Sequence, residues 1–181
     1  METVVELEVS IQDSFLEQIE GQNPALIANF QKVTTEAKWE DWFEQWLATM
    51  SFDLPQAEAY EISLRFTTDP EIQALNAQYR HQNHPTDVLA FAALEVDYPK
   101  LPSCVPLYLG DIVISVETAD RQAQVQNHPL ITELAWLAAH GFLHLLGWDH
   151  PDDENLRQML QQQDVLLAKI GLNMELPLPS E

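Results

Sequence analysis

The sequence predicts an α/β (α+β) fold: a single layered domain in which a mixed, mostly parallel sheet of about four strands is covered by about five helices. Three observations support this fold class. Segments of strand periodicity interleave with segments of helical periodicity along the chain. The 181 residues, of which 46% are apolar, suit one compact core. No internal repeat divides the chain, so we expect one domain over residues 1–175 and a flexible tail over residues 176–181.

Four short segments have the patterns typical of strands. In residues 5–9 and again in residues 60–66, apolar side chains alternate with polar ones, as in a strand with one buried face. Residues 86–91 and 109–115 are short aliphatic or β-branched runs, and each follows a loop that contains proline. These four segments are the expected strands of the sheet.

Five further segments have helical periodicity. Large apolar residues from Trp39 to Leu47 recur at i, i+3, i+4, i+7 and i+8, which favours burial of this stripe in the core over partner binding. We expect Asp69 to be an N-cap, because Pro70 follows it in the first helical turn. The other three helical segments are residues 116–125, 129–146 and 152–170.

The chain is strongly acidic, with 8 Lys and Arg residues against 29 Asp and Glu residues and a net charge of −21. So few cations exclude a general nucleic-acid coat, and any action on RNA must come from one local site. No apolar run reaches the roughly 18 to 20 residues of a membrane helix, and the first residues lack the pattern of a secretion signal. We therefore expect a cytoplasmic protein with no membrane partner. Since Cys104 is the single cysteine, we expect no internal disulfide and no disulfide-linked partner.

Three histidines in the C-terminal part have the spacing of metal ligands. His140 and His144 are four residues apart in a helical segment, so both imidazoles project from one face. Gly147 is placed to end that helix in a left-handed conformation, after which the chain can turn back and supply His150 as a third donor. Three imidazoles without a nearby cysteine are typical of a catalytic zinc site, which keeps one position open. The sequence thus predicts a metal site at the end of a central helix, and zinc, nickel or another divalent ion would suit it.

The spacing matches that of metzincin peptidases, His-Glu-x-x-His-x-x-Gly-x-x-His, with one departure. In those enzymes the Glu that follows the first His is the general base. Here that position is Gly141, which has no side chain to move a proton. Hydrolysis of a peptide or a small amide is therefore the weaker hypothesis.

Residues 140–150 also resemble the signature of the YbeY family of bacterial endoribonucleases, His-Gly-x-Leu-His-Leu-x-Gly-Tyr/Trp-Asp-His. Two more blocks match that family. The first is residues 75–80, continued by the Pro-Thr-Asp-Val-Leu-Ala-Phe of residues 85–91, and the second is the Leu-Gly-Asp-Ile-Val-Ile-Ser of residues 109–115. Ala90 stands where the family usually has serine, a departure that affects no metal ligand.

The resemblance implies a metal-dependent, single-strand-specific endoribonuclease that matures the 3′ end of the small-subunit ribosomal RNA and takes part in ribosome quality control. It implies His140, His144 and His150 as ligands of one zinc ion per chain, with Arg80 as the functional arginine. It also implies ribosomal RNA, the small ribosomal subunit and ribosomal proteins as partners. The chemistry agrees, since zinc can polarise a phosphoryl oxygen and Arg80 supplies a permanent forked cation for the phosphate.

Three carboxylates near these motifs have less specific signals. Asp149 is a catalytic candidate placed to orient His150 or accept a proton, although an Asp in such a turn is commonly bonded to its own backbone. We expect a structural role for Asp111. For Glu133 we expect either a bond to a ligand imidazole or simple exposure in the first helical turn.

The three remaining histidines lack ligand spacing to the triad. His81 and His84 are candidate cleft residues, because they follow Arg80. We interpret His128 as a loop residue that precedes a proline.

Two hypotheses from other classes stay open beside the nuclease. In one, the chain is a metal-dependent hydrolase of peptides or small amides. In the other, it is a ribosome assembly protein in which zinc is structural and the stripe from Trp39 to Leu47 binds a partner. The charge of −21 opposes encounter with free RNA, so either Mg²⁺ or K⁺ bridges the acidic surface or a ribosomal partner presents the RNA.

Overall fold

The computed structural model describes residues 6–19, 21–51, 54–95 and 106–174. Its strands are β1 (Glu6–Asp13), β2 (Ala59–Thr67), β3 (Val88–Ala92) and β4 (Leu107–Ser115). They form one sheet in the order β1-β2-β4-β3. β1 pairs in parallel with β2, and β2 pairs in parallel with β4, whereas β3 lies antiparallel to β4 at the edge. The mixed, mostly parallel sheet of four strands is thereby confirmed.

Seven α-helices occur in the described residues, two more than expected. They are α1 (Ser14–Gln18), α2 (Pro24–Val33), α3 (Glu36–Thr49), α4 (Asp69–Arg80), α5 (Val116–Gln126), α6 (Leu130–Leu145) and α7 (Asp153–Lys169). The additional two are α1, which has only five residues, and α2. Apolar residues at 26, 27, 30 and 33 follow Pro24 with helical spacing, so the signal for α2 was present in the sequence and was overlooked.

The main core lies between the sheet and α3, α6 and α7. α6 packs against β3 and β4, and it is buried along most of its length. The apolar stripe of α3 is buried beside it, with the rings of Trp46 and Phe142 6.1 Å apart. Trp46 also donates its indole N–H to the carbonyl oxygen of Leu166 in α7 at 2.8 Å. The interpretation of the α3 stripe as core is confirmed.

The opposite face of the sheet is only partly covered, by α4. Ile72 of α4 packs with Leu89 of β3 and Val113 of β4 in a small apolar cluster. On β1 the residues that share this face are polar and exposed, namely Glu6, Glu8, Ser10 and Gln12. Among the described residues, this face is therefore covered over β3 and β4, partly covered over β2 and exposed over β1.

The start of α4 corrects the expected N-cap. The N-cap residue is Thr68, and Asp69 is the first helical residue. The Asp69 carboxylate instead accepts hydrogen bonds from Ser115 Oγ and Thr118 Oγ1 at the start of α5, both at 2.6 Å. Because these partners are 46 and 49 residues away along the chain, no local pattern could reveal them.

Two expectations fall outside the described residues. These are the lone thiol of Cys104 and the tail over residues 176–181. The single domain over residues 1–175 stays a prediction. Within the described ranges, none of the helices combines the length and apolarity needed to cross a membrane.

Candidate metal centre

The end of α6 places the three histidines together. His140 and His144 lie one turn apart, and the helix ends at Leu145. Gly147 then takes a left-handed conformation, with φ of +94°, as expected. The N–H of Trp148 donates back to the carbonyl oxygen of Leu143 at 3.0 Å, so the chain reverses and returns toward the helix. This reversal brings His150 beside the other two rings.

The three imidazoles fit a single metal ion. The Nε2 atoms of His140 and His144 are 3.0 Å apart, and the ring of His150 lies 5.6 and 5.5 Å from their rings. One nitrogen from each residue lies within 4.8 Å of the other two. An ion bound at 2.0–2.1 Å in tetrahedral geometry needs its nitrogen ligands about 3.3 Å apart. The three histidines could therefore hold one divalent ion after a small movement of His150.

Hydrogen bonds orient two of these rings for metal binding. The Nδ1–H of His140 donates to Gln163 Oε1 at 3.1 Å, and the Nδ1–H of His144 donates to the carbonyl oxygen of Trp148 at 2.8 Å. Because both acceptors are carbonyl oxygens, each Nδ1 carries the proton and each Nε2 keeps its lone pair for a metal. Gln163 is buried on α7 and also donates to the carbonyl oxygen of Trp136. Sequence reasoning missed Gln163, whose only signal is a polar residue among the apolar positions of α7.

The electrostatics keep the same two rings neutral. Burial lowers the pKa of His140. Burial and the adjacent His140 together lower the pKa of His144 to about 4. Neutral imidazole is the form that coordinates a metal, so both rings are ready ligands at neutral pH.

Gly141 is required by the packing of α6 on β4. A Cβ atom at this position would lie 2.8 Å from Cγ2 and 3.2 Å from Cγ1 of Ile112. Any side chain here would therefore start toward the sheet and collide with it. A glutamate at 141 could not take the general-base position of the peptidases without displacing the Ile112 side chain from the packed interface.

A cavity of about 400 Å³ opens beside His140 and His144, and Arg80 and Asp149 line it as well. Arg80 Nη2 donates to the carbonyl oxygen of Ala90 at 2.7 Å, and its guanidinium carbon lies 5.4 Å from the ring centre of Phe91. These contacts hold a permanent cation at the rim of the cavity. Ala90 thus contributes its backbone carbonyl to the site.

Asp149 also contacts the third histidine through the backbone. Its Oδ1 accepts the main-chain N–H of His150 at 2.8 Å. This is the backbone bond expected of an Asp in a turn, and here it braces the turn that carries a candidate ligand.

Glu133 corrects both expectations made for it. It is 4% exposed, and its Oε2 is bonded to Nε2 of His128 rather than to a histidine of the triad. Burial raises the pKa of this carboxyl. The turn before α6 folds His128 back over the first turn of the helix, so the carboxylate is neither solvated nor beside the metal centre. His128 itself is a loop residue, as expected.

The remaining candidates lie away from the triad. Asp111 lies on β4 and lines a second cavity on the sheet face that α4 partly covers. His81 ends α4 in a left-handed conformation, and His84 is bonded to Gln82 and Pro85. Neither histidine is among the described residues that line the cavity beside the triad, so their assignment to the cleft is not supported.

Comparisons with known proteins identify the family of this chain. A family model described as Endoribonuclease YbeY matches residues 26–171. The Endoribonuclease YbeY of Nostoc sp. (strain PCC 7120) is 58% identical over 173 residues, which cover 94% of each chain. The protein of the same name from Trichormus variabilis is 57% identical over 176 residues, which cover 96% of this chain and 99% of that one.

A solved structure shares the fold. The solution structure of TM1509 from Thermotoga maritima covers 97% of this chain and 99% of that one, with a TM-score of 0.50 and 22% identity. At that identity the likeness concerns the fold alone. The family model and the two relatives, however, each match most of the chain at once. The chain therefore belongs to the YbeY family.

Proposed function

We propose that this chain is a metal-dependent endoribonuclease that hydrolyses phosphodiesters in single-stranded RNA. The observation that carries the proposal is the convergence of three imidazole nitrogens, two of them on His140 and His144, which line one cavity together with Arg80. Such a site combines a place for a divalent ion with a permanent cation for a phosphate. The family model and the two relatives bear the name endoribonuclease, which supports RNA as the substrate.

The ion that we propose is zinc, one per chain, held by His140, His144 and His150. The all-nitrogen donor set and the neutral state of the two buried rings support this choice. When bound, zinc would polarise a phosphoryl oxygen and supply hydroxide at neutral pH without a carboxylate base.

The protein groups around the centre bind and orient the substrate. Arg80 is held by Ala90 and Phe91 at the cavity rim, so its guanidinium is placed to bind a phosphate oxygen as negative charge develops. Asp149 positions His150 through its main-chain bond, and its carboxylate also lines the cavity, where a proton can be exchanged.

The substrate that we propose is ribosomal RNA in the cytoplasm, with maturation of the small-subunit 3′ end and ribosome quality control as the roles. The small ribosomal subunit and its proteins would be the partners. The net charge of −21 supports delivery by such a partner, because it opposes encounter with free RNA.

Metal content and RNA cleavage, measured on the same preparations, test the proposal. The purified chain should contain one zinc per chain and cleave a single-stranded RNA but not its duplex. His140→Ala should lose both the zinc and the cleavage. Arg80→Ala should keep the zinc and the melting temperature and lose about 100- to 1,000-fold in kcat/KM.

Arg157→Ala is the matched control, since Arg157 forms an exposed pair with Glu154 on α7. It should retain full activity. If Arg80→Ala leaves RNA cleavage unchanged, the guanidinium has no part in the reaction. The assembly hypothesis gains if wild type cleaves no RNA, removal of the metal unfolds the C-terminal half, and Arg80→Ala keeps its cellular function. If casein is cleaved and RNA is not, the peptidase hypothesis replaces the nuclease, although Gly141 offers no base for it.

A further inference from the structure

Strand β3 separates two cavities. Ala90 and Ala92 line the cavity beside the triad, whereas Phe91 lines the second cavity, of about 360 Å³, on the opposite face of the sheet. This follows from the alternation of side chains along a strand. β3 is the edge strand of the sheet formed by the described residues, so the two cavities lie on either face of this edge.

A run of three side chains connects the two cavities across this edge. The guanidinium carbon of Arg80, at the rim of the first cavity, lies 5.4 Å from the ring centre of Phe91. Phe91 in turn packs edge-to-face against Tyr79, with ring centres 5.3 Å apart at 69°. Tyr79 lines the second cavity, and α4 places it directly before Arg80. The proposed phosphate-binding group and this tyrosine are therefore immediate neighbours.

Tyr79 is unusually accessible among the aromatic residues that the structure describes. It is 55% exposed, and the other large hydrophobic residues that are exposed in the described part are aliphatic, namely Val125, Leu156 and Val165. An accessible ring supported from behind by a second ring is the platform on which proteins stack bases of single-stranded nucleic acids.

The charges around the second cavity favour a base over a phosphate as its occupant. Asp111 lines the cavity, and Glu61 lies on the neighbouring strand of the same face. Arg65, the one cation among its described lining residues, is paired with Glu71 at 3.0 Å. A phosphate would meet net negative charge here, whereas a base is uncharged and its N–H groups can donate to a carboxylate.

We propose that Tyr79 and the second cavity bind an unpaired nucleobase next to the phosphodiester that is cleaved. The proposal rests on the proposed function and adds a base-binding site to it. It also gives a physical reason for single-strand specificity. A base within a duplex is already paired and stacked, so it can reach Tyr79 only at the cost of unstacking.

Two substrate series test the base site on the zinc-loaded full chain. First, wild-type enzyme maps the cleaved bond in a short single-stranded RNA, and abasic sites are then placed at each neighbouring position. Tyr79→Ala should raise KM about 5- to 100-fold with a much smaller change in kcat, and Tyr79→Phe should behave like wild type. An abasic site at the bound position should raise KM for wild type by a similar factor and add little in Tyr79→Ala. If the increases in KM caused by Tyr79→Ala and by the abasic site multiplied, the two changes would act independently and the proposed base site would be wrong.

Binding without turnover separates this proposal from the proposed function. An oligonucleotide with 2-aminopurine at the bound position and a 2′-deoxy, phosphorothioate backbone reports stacking by loss of fluorescence. Wild type and Tyr79→Phe should quench it, and Tyr79→Leu, which keeps an apolar side chain on α4, should not. Quenching without RNA cleavage by wild type would reject the nuclease and keep the base site. Absence of quenching by wild type rejects the base site, whatever the cleavage shows.

Val125→Ala is the control variant, because it truncates an exposed apolar residue of α5 that lines neither cavity. It should match wild type in KM and in quenching. Zinc content and melting temperature are measured for every variant. If Tyr79→Ala is too unstable to assay, Tyr79→Leu replaces it in the KM series with the same expected loss.

Discussion

At the scale of single residues, the orientation of two of the candidate ligand rings depends on groups outside the triad. Gln163 accepts the Nδ1–H of His140 from inside the core, where water cannot replace it. Gln163→Leu would leave that N–H without an acceptor, so we expect metal affinity to fall about 10- to 100-fold while the chain stays folded. Competition with a chelator measures this. Gln161→Leu, at an exposed position of the same helix, is the control, and equal zinc retention by the two variants would show that the bond has no such role.

The contact between Gly141 and Ile112 gives a second prediction at this scale. A Cβ at 141 would lie 2.8 Å from Cγ2 of Ile112, so overpacking in Gly141→Ala should lower the free energy of unfolding by about 1–3 kcal/mol. The better helix propensity of alanine should offset about 1 kcal/mol of this loss. Urea unfolding measures the change. In an Ile112→Ala background the colliding atoms are gone, so the same substitution should cost less. Equal costs in both backgrounds would mean that the helix shifts freely on the strand.

Local spacing predicted the convergence of the three histidines far better than it predicted the hydrogen-bond partners of the side chains around them. Three histidines and a glycine within eleven residues of chain determine their own geometry, so their convergence follows from a helix and a turn. Gln163 approaches from another helix, 23 residues beyond His140. Glu133 pairs with His128 because the turn before α6 brings the two side chains together. Hydrophobic periodicity does not predict the path of such a turn. Partners supplied by tertiary packing were missed or misassigned.

At the scale of elements, the starts of α4 and α5 are joined by the Asp69 carboxylate. Burial raises its pKa, but the hydrogen bonds from Ser115, Thr118 and Arg121 and the charge of Arg121 outweigh burial, so the pKa lies below its ordinary value. The charged form therefore stabilises the fold at neutral pH. This contribution is complete above the unfolded pKa of about 3.9 and is lost as pH falls below it.

Asp69→Ala should accordingly lower the free energy of unfolding by about 1–2 kcal/mol at pH 7, and the difference from wild type should narrow near pH 3. Urea unfolding at the two pH values measures it. Asp120→Ala serves as the control, since that carboxylate accepts a bond only from Gln124 on the surface of its own helix among the bonds described. If the difference from wild type widened at low pH, the charged form of Asp69 would not be the stabilising one, and this prediction would be wrong.

Hydrophobic periodicity predicted those helices and strands that bury only one of their faces. The stripe of α3 is core because five large apolar groups on one face have no stable alternative to burial. The N-cap of α4 is Thr68, one residue before the predicted Asp69, and neither side chain caps the helix. The Thr68 hydroxyl donates to Gln18, and the Asp69 carboxylate is bonded to α5. A local pattern thus indicates that a helix begins but not which polar side chain has another task.

At the scale of the whole molecule, the distribution of charge bears more directly on the proposed contact with RNA than the fold class does. The interleaving of strands and helices was enough to predict a mostly parallel sheet, but not the strand order that makes β3 an edge. That edge puts Arg80 at the metal cavity of a chain with net charge −21. Under the proposed function, we therefore expect Arg80 to be the main cationic contact with RNA, since the net charge of the chain opposes further contacts with the phosphate backbone.

Salt dependence of RNA binding tests this distribution. If Arg80 neutralises one phosphate, the logarithm of the binding constant should fall by only about 0.7 per tenfold rise in salt, a loss of about threefold between 50 and 200 mM. Arg80→Gln should lower that slope by about 0.7, because one cationic contact to a phosphate is lost. Arg157→Gln, whose partner is Glu154 on an exposed surface, should leave the slope unchanged. A loss of a hundredfold over the same range would require several more cationic contacts, and the view that RNA is delivered by a partner rather than attracted by this chain would have to be given up.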